Sequence, residues 1–175
     1  MNSIDVLVEA FGRVRDHVHG TVDGLDERAL NLRLDAEANP IAWLVWHLTR
    51  VQDDHVADLA GTEQAYTASR DGGRSWADRF GFDLDPSSIG YGHTSAQVAA
   101  VHVADPALLT GYYDAVHDRT LAYLRTLADA DLDEVIDEAW DPPVTRGVRL
   151  VSVVDDDIQH AGQAAFVAGI ARRAS

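Results

Sequence analysis

The chain has 175 residues, a length that suits one domain, and 46% of them are hydrophobic, as in an ordinary globular protein. It has no Cys, and all 14 basic residues are Arg, which excludes disulfides, thiolate metal sites, Cys nucleophiles and Lys Schiff bases. The formal net charge of −15 argues against nucleic acid and anionic lipid as partners, because both are bound through basic side chains.

The segment MNSIDVLVEAFGRVRDH has an early acidic residue and no basic run ahead of an apolar one, so it does not read as a signal peptide. No apolar stretch is long enough to span a membrane. A single domain over residues 1–175, cytoplasmic by default, is the expectation.

Ile4, Leu7, Val8, Phe11, Val14 and Val18 recur at helical spacing and predict a first amphipathic helix, capped by Asn2 or Ser3. Leu25 to Leu30 reads as a short helical turn. The second long helix is announced by Asn39 as N-cap and Pro40 as its first residue, and runs through IAWLVWHLTRVQDDHVADLA to Gly61. Its first half is apolar nearly all round, which predicts deep burial. Residues 62–93 show no periodic segment longer than a turn or two. A connection that long inside one domain often lines or covers a site.

Ser95 to Val101 predicts a short helix, and Asp105-Pro106 repeats the cap-plus-proline signal before a third long helix. In DADLDEVID, residues Leu132, Val135 and Ile136 read as a short helical patch. After the break at Asp141-Pro142-Pro143, Thr145 caps a last helix to about Arg172. Leu150, Val153, Val154, Ile158, Ala161, Ala165 and Phe166 are its expected inner face. No strand pattern is legible. The expected architecture is an all-α four-helix bundle with a long crossover between the second and third long helices.

Three residues stand out chemically. His47 lies in the middle of the buried second helix, and Asp156 and His160 lie four apart in the last. That spacing puts their side chains on one face, with Cβ atoms roughly 5–6 Å apart, close enough to chelate one ion. The run Asp155-Asp156-Asp157 adds an oddity. Successive side chains diverge by about 100° around a helix, so one carboxylate must approach the apolar face, where a charge needs a partner. On spacing alone the bland reading, a hydrogen-bonded pair and a core histidine, outweighs the metal. His55, beside Asp54, reads as the end of a helix face. His93 after Gly-Tyr-Gly reads first as a helix-start residue and second as a group reaching a cavity. His17, His19, His102 and His117 have no partner spacing.

The segment NPIAWLVWHLTRVQDDHVADLAG resembles the second long helix of the DinB/YfiT-like superfamily. It is closest to an actinobacterial branch related to the N-terminal domain of mycothiol-dependent maleylpyruvate isomerase. The segment DDDIQHAGQAAFVAGI resembles the last-helix motif of that family, with Asp156, His160, Gly162 and Gln163 in the motif positions. IGYGHTSAQV and ADPALLTGYYDAVHDRTLAYL resemble the same branch. The resemblance implies a four-helix bundle holding a divalent metal through His47, Asp156 and His160, zinc or nickel first and iron(II) third. Many members have His where this chain has Asp156; the isomerase branch has a carboxylate. The isomerase also has a second domain with further site residues, so the isomerisation itself is not implied.

The resemblance further implies a low-molecular-weight thiol, mycothiol, as cosubstrate of a transferase acting on small electrophiles. A metal-dependent hydrolase with Asp54 or His93 as base is the second enzymatic reading. A non-catalytic metal- or ligand-binding bundle and an interaction module remain beside it. Family members often pair through helix faces, so a homodimer is expected; nucleic acid and membrane are not expected partners.

Overall fold

The computed structural model describes residues 1–69 and 72–174. Four long helices dominate it: α1 (Ser3–Val22), α3 (Ile41–Ala60), α6 (Pro106–Leu124) and α7 (Arg146–Ala174). Short helices α2 (Glu27–Leu30), α4 (Trp76–Phe80) and α5 (Ser95–Ala100) lie in the connections. Helix α7 packs on both α3 and α1, and α6 packs on the same two helices from the other side. The order around the bundle is therefore α1, α6, α3, α7. Among the described residues, no helix is long and apolar enough to cross a membrane.

Side-chain caps start α1 and α6. Asn2 and Asp5 form a reciprocal capping box at α1, and the Asp105 side chain accepts from the Ala107 amide ahead of α6 with Pro106 in its first turn. Helix α3 starts one residue later than expected, with Pro40 rather than Asn39 at the cap and no side-chain cap. Gly61 closes α3 with φ +63°, a left-handed conformation that favours glycine.

Burial follows the sequence pattern in α1, where Phe11, Val14 and Val18 fill the core. Helix α3 is buried on every side from Ile41 to Asp53, because α6, α7 and the crossover enclose it. Ile4, Leu7, Phe11, Leu124, Leu150 and Val153 form a second, smaller cluster.

Two expectations are corrected. Ile158, Ala165 and Phe166 are exposed on the outer face of α7. The inner line is instead Leu150, Val153, Asp157, Ala161, Ala164 and Ala168, with Asp157 fully buried among apolar residues. The 129–137 segment is not a helical patch throughout. A 3-10 turn over Asp129–Asp133 leads into β1 (Val135–Asp137), which pairs antiparallel with β2 (Val144–Thr145). Two strands this short leave no alternation to read in a sequence, and the fold stays all-α.

Candidate metal centre

His47 projects from the middle of α3, where helical spacing and neighbouring Trp43 place it inside the bundle, and it is 2% exposed. Asp156 and His160 project from adjacent turns of α7, each with a side chain 20% exposed. One ligand atom from each of the three lies within 4.8 Å of the others. The site is thus closed on the α3 side and opens to solvent on the α7 side.

The second nitrogen of each imidazole is already committed. His47 Nδ1–H donates to the Ile89 carbonyl, which leaves Nε2 as the free nitrogen. His160 Nδ1–H donates to Gln163 Oε1 at 2.9 Å, and its Nε2 lies 3.7 Å from Asp156 Oδ1. This is how protein-bound imidazole ligands are commonly oriented, with one nitrogen anchored and the other presented. Asp156 Oδ2 is buried with no hydrogen-bond partner. Burial lowers the His47 pKa, with His160 adding to the effect, so the ring stays in the neutral form a metal requires. The donor set therefore fits a small divalent cation.

Aromatic and glycine residues set the walls. The Trp43 ring stacks on His47 at 4.6 Å and meets His160 edge-on at 6.2 Å. Tyr91 meets His47 edge-on at 5.2 Å from the solvent side. Burial and the nearby Asp156 raise the Tyr91 pKa, which keeps its phenol protonated. Gly90 adopts φ +104°, and a Cβ there would fall 2.5 Å from His47 Nδ1. Only glycine lets the Ile89 carbonyl approach the ring this closely. Beside the three residues lies a recess of about 140 Å³, lined by Val51, His55, Tyr91, Ser152, Asp156 and Gln159 among others.

The other sequence candidates sit around this point. His93 accepts from Trp43 Nε1 at 3.1 Å through Nδ1 and bonds Ser88 Oγ at 2.8 Å through Nε2, so both its nitrogens are engaged. Asp54 Oδ1 accepts from Gln64 Nε2 at 2.7 Å, and its other oxygen lies 3.9 Å from His55 Nδ1. His55 is itself 3.2 Å from an Arg149 guanidinium nitrogen, and burial and that charge lower its pKa. Of the acidic run, Asp155 holds Gln159, Asp156 joins the cluster, and Asp157 has both oxygens buried without a partner. Burial, and then Asp156, push the Asp157 carboxyl well above the usual range.

Sequence reasoning missed a second polar cluster on α3. Arg50, fully buried, donates to Gln64 Oε1 at 2.7 Å and to the carbonyls of Ser88 and Pro86 at 3.3 and 3.2 Å. It also lies over the Tyr66 ring at 4.3 Å. Asp53 accepts from the amides of Ala65 and Tyr66, both at 2.8 Å, and from the Tyr112 hydroxyl at 2.9 Å. The signal was available: Arg and Asp within a helix otherwise apolar all round must be paired if buried.

A family model described as the DinB superfamily matches residues 10–164. The chain is similar to a solved structure titled a conserved protein of locus from Enterococcus faecalis. The two share 30% identity, the match covers 96% of each chain, and the TM-score is 0.87. No curated protein matches the chain.

Proposed function

This chain belongs to the DinB superfamily, whose members bind metals in general, and from that premise we propose a metal-dependent enzyme. In this reading His47, Asp156 and His160 hold a divalent ion, zinc or nickel by the nitrogen and oxygen character of the donors. The reaction joins a low-molecular-weight thiol to a small electrophile. The observation that carries the reading is the convergence of three ligand atoms whose two imidazoles are both anchored through Nδ1.

When bound, such an ion lowers the pKa of a thiol or water it holds, making it nucleophilic near neutral pH. The residues do the rest. Two neutral imidazoles and one carboxylate leave a divalent ion with net positive charge, which favours an anionic sulfur. The chain has no Cys, so the sulfur arrives with a cosubstrate. Mycothiol is the choice, on the resemblance to the actinobacterial branch. Trp43 shields the inner flank from water, Tyr91 covers His47 from the solvent side, and the recess beside Asp156 accepts the electrophile.

With a chlorinated aromatic substrate, a carbon–sulfur bond forms as the carbon–chlorine bond breaks. Chloride leaves with the electron pair, and a base takes the thiol proton. Asp54 is proposed first for that proton and His93 second. Gln64 occupies one Asp54 oxygen and leaves the other 3.9 Å from His55 Nδ1, whereas both nitrogens of His93 are engaged by Trp43 and Ser88.

The test is turnover of a chlorinated aromatic by metal-loaded protein and reduced mycothiol, beside His160→Ala. Turnover that needs both the thiol and His160 supports the reading, and equal turnover in the two proteins overturns it. Ester cleavage without thiol would replace it by the hydrolytic reading, with the same two bases. Saturable binding of metal and small molecule without turnover would leave a binding bundle.

A further inference from the structure

On the α6 side of the crossover, away from His47 and His160, a recess of about 200 Å³ is lined by Arg74, Arg79 and Arg119 with Trp76 and three alanines. Three of the 14 basic residues of a chain with net charge −15 thus share one small cavity. Among the described residues, none of the three has a carboxylate within ion-pair distance, although Arg13, Arg15, Arg50, Arg146 and Arg149 each do.

The guanidinium groups are nonetheless held. Arg79 lies over the Trp76 ring at 3.8 Å, Arg119 Nη1 donates to the Glu63 carbonyl at 2.7 Å, and Arg74 Nη2 donates to the Asp78 carbonyl. The Asp78 side chain, which feels the Arg74 charge, is occupied by the amide and hydroxyl of Ser75 at the start of α4. Small residues make the space. Trp76 rests on Gly111, where a Cβ would come within 3.0 Å of the indole, and Ala115 follows one turn later on α6.

Positive charges fixed in position but not bonded to a carboxylate are what an anion site requires, since little ordering remains to be done when the ligand arrives. Planar guanidinium forks match the oxygens of phosphate and carboxylate, and such charge-assisted bonds are about twice as strong as neutral ones. We propose that the Arg74–Arg79–Arg119 recess is a binding site for a small phosphate-bearing ligand, separate from the metal centre.

The experiment titrates the full chain with inorganic phosphate, with and without added zinc, and follows backbone amide resonances. The expected result is saturable binding with shifts at residues of α4 and at Ala115 and Arg119, at the same affinity with or without zinc and in His160→Ala. The double variant Arg74→Gln/Arg79→Gln, exposed at both positions, should bind at least about tenfold more weakly, the value of one lost charge-assisted contact. The matching Lys double variant should bind with an affinity between those of the wild type and the Gln variant, because it keeps the charge but loses the guanidinium fork. Absence of saturation in the wild type, shifts confined to the surroundings of His47, or equal affinity in the Gln double variant would each overturn the proposal.

Discussion

Toward α6 and the crossover, helix α3 presents Arg50 and Asp53; toward α7 it presents His47. In the first cluster each charged group is met by several partners: Arg50 by Gln64, two carbonyls and the Tyr66 ring, Asp53 by two amides and Tyr112. The second holds Asp156 Oδ2 with no partner, and two imidazole nitrogens turned toward Asp156 and each other's ring. Both clusters are largely buried. The difference is one of satisfaction: the closed cluster fastens the crossover to α3, and the open one leaves a buried carboxylate oxygen unpaired beside two imidazole nitrogens, the capacity the proposed metal would use.

The sharpest way to break this contrast is at Arg50. Arg50→Met removes the cation and leaves Asp53 buried without it, and loss of one partner of a buried pair typically costs about 3–5 kcal/mol. Urea unfolding should show a loss of that size, while the folded fraction binds metal as before. An unchanged midpoint would mean that the crossover is held by its aromatic contacts alone.

Gly90 comes next because it serves the open cluster through the backbone. Gly90→Ala forces a Cβ against His47 at φ +104°, a strain on the order of 1–3 kcal/mol. Here stability and metal affinity should fall together, measured by melting and by competition with a chelating dye. A fall in stability with metal affinity intact would detach the Ile89 carbonyl from the site.

Asp157, next to Asp156 on the inner line of α7, tests the cost of a buried carboxyl with no partner. Its carboxyl is raised by burial, so the folded state favours the protonated form, and stability is lost as pH climbs above the ordinary carboxylate range. In metal-free protein Asp157→Asn removes that loss. It should raise stability at neutral pH by about 1–2 kcal/mol, with little gain near pH 4. A destabilised variant at neutral pH would show that Asp157 has a partner in solution.

The legibility of these features in the sequence tracks how local their causes are. Caps at Asn2 and Asp105, the all-round apolar run of α3 and the four-residue spacing of Asp156 and His160 are set by neighbours along the chain, and they stand where the pattern puts them. The inner face of α7 departs from expectation beyond Leu150, Val153 and Ala161 because half of its line is alanine and it passes through Asp157. Ile158 and Phe166 are more hydrophobic but lie on the outer face. Propensity cannot say that a helix buries its alanines and exposes its phenylalanine when the facing helices decide the fit. The ties from His47 to Ile89 and from Arg50 to Pro86 and Ser88 depend on how a long irregular connection folds back, which no periodicity encodes.

His160→Ala produces the smallest structural effect and the most direct answer. The side chain is partly exposed and its hydrogen bonds are local, so metal-free stability should change by less than about 1 kcal/mol. The decisive measurement is elemental analysis of protein prepared without a histidine tag, wild type beside His160→Ala. The account predicts a divalent ion in equimolar amount in the wild type, with a rise in melting temperature when it binds, and loss of both in the variant. No bound ion in the wild type, or equal metal in the two proteins, would contradict it.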